Sequence, residues 1–430
     1  MKILIILLFC TACMSCHRNE DDVLRDAQGA ATRLPHVWKS SVSLDGGLTT
    51  TMHAQHIYQN KYLLTAQRVG PKTADNLCFK NVETGENKWV WSDRFNTSET
   101  STLFKNYIYS YQNLLFYNYG SRSYCIDQET GKTVWKQEWT PGISQVRTTK
   151  GFGNHFYFTG TPPEIWQQKV WDESIYQGDM QTGQIRPIAK LKAIPGKFWN
   201  DPSGLKLYSI GGRLSFLTNE NDTLVLVSYE LPDPRPQFTS VTSGYISLYN
   251  LTRQKWVYEQ IPLVNQDETG GGGWPVLIND KIYFTLAMWV GCFDVFTGKR
   301  IWMKRLTEAS LFSDLILADG KLLANGQNAK LYSLDPATGN VLWTQESSAI
   351  GSSLYQQDGV VYYIASQKLK AVEVATGRLL WNLDCPDYYT INRGDSWFSG
   401  FVTGLPATGG KKGRIFASTN LNVYSFEAAK

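Results

Sequence analysis

Along most of this chain the apolar residues come in short alternating runs rather than in helical stripes. Asn279-Asp280 precedes Lys281-Ile282-Tyr283-Phe284, and Asp358-Gly359 precedes Val360-Val361-Tyr362-Tyr363. Such a run behind a dipeptide that tolerates positive φ predicts a hairpin turn entering a strand. The arrangement recurs at Asn60, Asn113, Asn154, Gly212, Asp280, Gly320, Gly359 and Gly413, eight times in all. Successive turns lie about 39 to 68 residues apart, which brackets the roughly 40 to 50 residues of a propeller blade. Period-two patterning and dense turns exclude a helical solenoid.

A second phrase gives the same count. Thr84-Gly85 leads to Trp89, Thr130-Gly131 to Trp135, Thr297-Gly298 to Trp302, Thr338-Gly339 to Trp343 and Thr376-Gly377 to Trp381, all as T-G-x-x-x-W. Thr182-Gly183 is a copy without the Trp, and Thr252 with Trp256 is one without the Gly. A small residue, an apolar one and an acid precede several copies: Cys125-Ile126-Asp127, Cys292-Phe293-Asp294, Ser333-Leu334-Asp335 and Ala371-Val372-Glu373. Ser425-Phe426-Glu427 is an eighth copy, cut short. A strand ends at the acid, which accepts hydrogen bonds from turn amides. Gly supplies the turn's backbone freedom, and Trp lies on the next strand, where it fills the seam between sheets. The expectation is an all-β, eight-bladed propeller of four-stranded antiparallel blades over 34–430. The last blade lacks an outer strand, and the segment carrying Trp38 is expected to supply it and so remove open edges.

This phrase resembles the repeat of the pyrroloquinoline-quinone-like propellers, and the resemblance covers nearly all of 34–430. It implies fold more than function, because that superfamily divides. One branch holds quinone-dependent alcohol dehydrogenases, which use the quinone with calcium. The other holds non-catalytic scaffolds, including the lipoprotein subunit of the outer-membrane barrel-assembly machinery. The dehydrogenases resemble one another in an adjacent Cys-Cys disulfide and are often joined to a haem domain; this chain has no adjacent cysteine pair, and its one C-x-x-C-H, Cys13-Met14-Ser15-Cys16-His17, straddles the end of the signal-like segment rather than standing in a further domain. The resemblance therefore implies a scaffold with no cofactor, and the alternative is an oxidoreductase or sensor with pyrroloquinoline quinone and calcium in the central channel. A surface carbohydrate-binding protein is a further alternative, suggested by aromatics.

Composition changes this picture little. Net charge is +4 and no basic run stands out, so the clustered cations of a nucleic-acid footprint are absent. The start matters more. Lys2, the apolar run Ile3–Phe9 and the small residues after it read as a signal peptide, 1–16. A Cys behind a small residue there resembles a lipobox: Cys16 after Ser15 is preferred, because polar sequence follows at once, and Cys13 after Ala12 is the alternative. Residues 17–33 are polar and are expected to be a flexible tether. The predicted place is the cell envelope: an outer-membrane lipoprotein facing the periplasm or the surface, held by lipid and bound to an envelope protein or complex.

Candidate chemistry is sparse. Cys78, Cys125, Cys292 and Cys385 remain after the signal. Two of them occupy a small-residue slot of the repeat, so buried thiols are expected rather than disulfides. His53 and His56 would face opposite sides of a strand, and no metal site is expected. No nucleophile–base pair is evident, so no catalytic residue is assigned. The irregular stretches are the better candidates for binding: Trp166, Trp171, Trp199, Arg235, Trp274 after the Gly270–Gly273 run, and Tyr388, Tyr389, Arg393 and Trp397 before the last blade. Long loops on one face of a propeller concentrate binding, and Trp, Tyr and Arg dominate interface energetics.

Overall fold

The computed structural model describes residues 23–43, 56–68, 76–95, 108–119, 122–138, 150–160, 174–191, 195–197, 205–207, 210–232, 242–263, 275–286, 288–306, 311–326, 328–348, 352–389 and 397–430. They form an eight-bladed β-propeller of four antiparallel strands per blade. Blade one spans 56–91, two 108–138, three 150–190, four 210–262, five 276–305, six 311–346 and seven 355–383. Blade eight takes three strands from 398–427 and its fourth from the N-terminal strand Trp38–Ser41. That closure is the one the truncated eighth repeat predicts. In register, Trp38 stands opposite Ser425, as Trp135 stands opposite Cys125, Trp302 opposite Cys292, Trp343 opposite Ser333 and Trp381 opposite Ala371.

The turn between third and fourth strands shows why the repeat reads as it does. The Gly131 amide donates to the Asp127 carbonyl at 2.8 Å, and Gly298 does the same to Asp294 at 2.9 Å. Asp127 Oδ1 accepts the Thr130 amide (2.8 Å) and hydroxyl (2.9 Å). Asp294 treats Thr297 likewise, at 3.0 and 2.8 Å. The glycine has φ of +69° at 131 and +65° at 298, a region that costs other residues about 1–2 kcal/mol.

At five seams a tryptophan locks one blade onto the next. The Trp38 indole N–H donates to the Val82 carbonyl (2.8 Å), Trp89 to Gln128 (2.9 Å), Trp135 to Met180 (2.9 Å), Trp302 to Pro336 (2.9 Å) and Trp343 to Val374 (3.0 Å). Each acceptor directly follows the residue at the repeat's acid position, Asn81, Asp127, Asp179, Asp335 or Glu373, so the indole lies against the next blade's turn glycine. Gly85 faces Trp38 in this way, Gly131 faces Trp89, Gly339 faces Trp302 and Gly377 faces Trp343. The seam that closes the ring thus uses the same lock as the others.

Four expectations need correction. Trp256 does not fill the repeat's Trp position in blade four; Tyr258 does. It lies opposite Leu248, and its hydroxyl donates to the Val295 carbonyl at 2.9 Å. Trp256 instead meets Tyr249 edge-on at 4.9 Å. Blade four's first hairpin does not turn at Gly212, which lies inside the strand Ile210–Asn219, but at Glu220, with φ of +52°. Blade eight's first turn is centred on Gly409 and Gly410, not on Gly413. Last, the flexible-tether expectation fails for 23–33. There β1 (Leu24–Arg25) and β2 (Ala31–Arg33) form a hairpin, and β2 runs parallel to the outer strand Leu379–Leu383 of blade seven. Ala30 and Ala31 are small enough to be fully buried there.

Packing fills the wedges between blades. Phe116 of blade two stacks on Phe156 of blade three with ring centres 4.2 Å apart. Tyr117, Tyr124, Tyr362 and Tyr363 are wholly buried, so large aromatics do most of the spacing between sheets. Neighbouring blades approach through their first strands, which places these around the axis. Fourth strands alternate exposed and half-buried residues, as in Thr133–Glu138, which places them at the rim.

Candidate partner-binding face

Strand direction sorts every connection onto one of two faces. Within each blade the strands are antiparallel and follow chain order. Turns joining first to second and third to fourth strands therefore share one face. Links from second to third strands, and from each blade to the next, share the other. The first face is built of turns of two to six residues, apart from the eight of 406–413. The second carries all the long connections: 42–55, 92–107, 139–149, 161–173, 191–209, 233–241, 263–275 and 384–397. The longest, 191–209, is nineteen residues and contains a short hairpin, Pro195–Lys197 with Leu205–Leu207.

All nine predicted binding residues fall in sequence within those connections, whose flanking strand ends lie at the second face. Trp166, Trp171, Trp199, Arg235, Trp274 and Arg393 lie outside the described residues, as do Gly270–Gly273, His53 and both candidate lipidated cysteines, Cys13 and Cys16. Tyr388 and Tyr389 belong to the 3-10 turn Pro386–Tyr389. Trp397 is half-buried at the entry to blade eight.

The best-defined feature of this face is a knot at Asp387, a buried carboxylate between blades seven and eight. It accepts from the Thr419 hydroxyl at 2.6 Å, from the Asn422 side-chain amide at 2.9 Å and from the Tyr424 hydroxyl. Burial, followed by the neighbouring Asp387 carboxylate, raises the Tyr424 pKa well above its ordinary value, so the phenol stays a donor. A buried carboxylate is tolerated when its acceptors are filled. The knot pins the start of 384–397 to the second turn of blade eight and anchors a connection that carries four predicted binding residues. No repeat position marks the role of Asp387 in the sequence.

The opposite face has its acids committed to structure. Hydrogen bonds from turn amides and threonines hold Asp127, Asp179 and Asp294 below the usual carboxylate range, against the opposing effect of burial. Glu373 is lowered to about 2, chiefly by Lys430 and then by Thr376. Among the described residues no group of three or more His, Cys, Asp or Glu is placed to hold a metal ion. His56 meets Gln128 Oε1 at 3.2 Å, and burial lowers its pKa. Cys78, Cys125, Cys292 and Cys385 are buried and none is in a disulfide; Cys125 and Cys292 take the small-residue slot opposite the repeat Trp. Burial pushes the Cys78 and Cys125 thiols up to about 12 and Cys292 to about 11, the opposite of an activated nucleophile. Also among the described residues, no helix is long and apolar enough to cross a membrane.

One buried cation was missed. Lys80 takes a position that is apolar in the equivalent strands, such as Ile126, Phe293, Leu334 and Val372. Its Nζ donates to Ser40 Oγ across the ring-closing seam and to Asn87 Oδ1 within blade one, both at 2.8 Å. Burial lowers its pKa.

Comparison with known proteins agrees with this architecture. Residues 250–430 match the family model described as outer membrane protein assembly factor BamB. No curated protein matches the sequence. Among solved structures, BamB from Moraxella catarrhalis is similar at 12% identity and a TM-score of 0.52, covering 90% of this chain and 98% of that one. Quinohemoprotein alcohol dehydrogenase from Comamonas testosteroni is similar at 12% identity and 0.58, covering 91% and 76%. Sqt1 from Saccharomyces cerevisiae is similar at 9% identity and 0.61, covering 90% and 98%. At these identities the structural likeness is one of fold.

Proposed function

We propose that this eight-bladed β-propeller, similar to the pyrroloquinoline-quinone-like propellers, is a non-catalytic, lipid-anchored scaffold of the bacterial cell envelope, on the outer membrane and facing the periplasm or the surface. Its long-connection face receives an envelope protein or complex, in a role like that of the outer-membrane assembly lipoproteins. The observation that carries this reading is the asymmetry of the two faces. Tight turns make one, and every long connection opens on the other. Binding residues gather on loops held by a rigid ring, and the aromatic and Arg residues named above are of the type that carries interface energy. The family match over 250–430 supports an assembly-factor role.

The second reading is an oxidoreductase with pyrroloquinoline quinone and calcium, favoured by the likeness to quinohemoprotein alcohol dehydrogenase. Calcium needs six to eight oxygen ligands. The described carboxylates do not fit that demand, because the repeat acids are spent on turns and no cluster of three forms.

Two measurements test the reading. The chain lacking residues 1–16 is titrated with the quinone and calcium, followed by Trp fluorescence and by dye reduction with simple alcohols. Saturable calcium-dependent binding with turnover overturns the scaffold. Deleting Gln266–Trp274 is then expected to leave the ring folded while abolishing co-purification of the envelope partner.

A further inference from the structure

The N-terminal hairpin is redundant for closing the ring, yet it is firmly made. Asp26 Oδ1 accepts the amides of Gln28 and Ala30, both at 2.9 Å. The Asp26 amide donates to the Ala30 carbonyl at 2.9 Å, and Arg25 Nη1 donates to the Gly29 carbonyl at 2.8 Å. The hairpin is then docked. Ala31 pairs with Trp381, the Asp384 amide donates to the Thr32 carbonyl at 3.0 Å, and Leu34 packs on the core between blades seven and eight. Ring closure is supplied separately, by Trp38–Ser41. The hairpin covers the outer edge of one blade of eight and nothing else.

Its consequence is a short leash. If Cys16 carries the lipid, seven chain steps separate it from Val23, the first described residue. A chain advances at most 3.3–3.6 Å per residue, so the reach is roughly 25 Å. A tether free to Pro35 would have nineteen steps and reach roughly 65 Å. In a ring of eight, blade three lies opposite blade seven and blade four opposite blade eight. Blades three and four carry the connections 161–173, 191–209 and 233–241.

We propose that the β1–β2 hairpin is an orientation clamp. It holds the rim of blades seven and eight next to the lipid surface and projects blades three and four, with their long connections, away from it. This rests on the lipid-anchor reading and adds the direction from which a partner approaches. Docking a leash at one rim sets which blades are near the membrane. A leash that leaves the ring at closure without docking would let every blade visit the surface.

The test uses the full-length lipidated protein in vesicles of phosphatidylethanolamine and phosphatidylglycerol containing a headgroup-spin-labelled lipid. One fluorophore is placed at Lys39→Cys, exposed on blade eight, or at Val257→Cys, 46% exposed on blade four; the four native cysteines of the ring are buried. The mass of the N-terminal peptide is measured first, and absence of lipid there overturns the anchor reading, and with it the clamp. With lipid present, quenching is expected to be several-fold stronger at position 39 than at 257. Ala31→Arg, which undocks the hairpin and spares Trp38–Ser41, is expected to bring the two towards equality with the circular dichroism of the ring unchanged. Equal quenching in the unaltered hairpin, or a gradient that survives Ala31→Arg, overturns the clamp while leaving the anchor in place.

Discussion

Replacing Gly131 by alanine should cost far more than replacing Gly153, although both glycines sit in turns at positive φ. Their φ values are +69° and +60°, so the backbone penalty is about the same, 1–2 kcal/mol. Their surroundings differ. A Cβ on Gly131 would lie 2.7 Å from Cγ and Cδ2 of Trp89 and 3.0 Å from its Cβ. That indole is fixed by its bond to the Gln128 carbonyl, so relief requires the seam between blades one and two to open. Overpacking of this kind adds about 1–3 kcal/mol. A Cβ on Gly153 meets nothing within 4 Å, and other blades place Gln59, Gln112 and Asn279 at positive φ in the corresponding turn. Gly131→Ala should therefore cost about 2–5 kcal/mol and Gly153→Ala about 1–2. Urea titration followed by Trp fluorescence and by far-ultraviolet circular dichroism gives both values and checks that the two probes coincide. Adding Trp89→Leu should recover at least about 1 kcal/mol of the Gly131→Ala loss in a double-mutant cycle. Equal costs for the two glycines, or additivity with Trp89→Leu, would refute the claim that the repeat glycine is required by the neighbouring indole.

Tyr258→Phe should cost about 0.5–1.5 kcal/mol through the lost bond to the Val295 carbonyl, whereas Tyr258→Trp, which restores the repeat's residue, should stay within about 1 kcal/mol of the original; denaturant titration reads both. Stability should fall in acid. Asp127, Asp179, Asp294 and Glu373 have depressed folded-state values, so their contribution is complete above the unfolded values near 4 and disappears as pH falls through the folded ones, down to about 2 for Glu373. Thermal melts between pH 6 and pH 2, at fixed ionic strength, check this. Lys80→Met should be neutral or stabilising at pH 7. Burial lowers the Lys80 pKa, so its penalty is present below the folded value and shrinks as pH rises towards the ordinary Lys range; the gain from Lys80→Met should shrink in parallel.

Much of the fold was legible because the repeat encodes its own geometry. A glycine at positive φ, an acid that caps the turn and a Trp eight residues after the acid leave little freedom in how the blades pair. The same rule, applied strictly, locates Tyr258: Asn250 takes the acid's place, and eight residues on stands Tyr258, not Trp256. Residue type alone points to Trp256, and spacing points to Tyr258. Blade three has Pro187 at that spacing, and there the seam bond runs backwards, from the Tyr249 hydroxyl to the Ile188 carbonyl at 3.1 Å; nothing local announces such a reversal. The docked hairpin escaped because 17–33 is polar in composition, and its burial depends on two small residues, Ala30 and Ala31, meeting an edge far along the chain. The long-connection face was legible only as irregularity in the repeat.

The most direct test of the central claim is site-specific photocrosslinking in the native envelope. A benzophenone amino acid is placed at Trp199, Trp274 or Arg393 in the long connections, and at Lys132 or Lys299 in the turns of the other face. The scaffold account predicts a discrete adduct with one envelope protein from the first set and none from the second. Adducts from the turn face alone, or none from either while quinone and calcium bind and turn over, would contradict it.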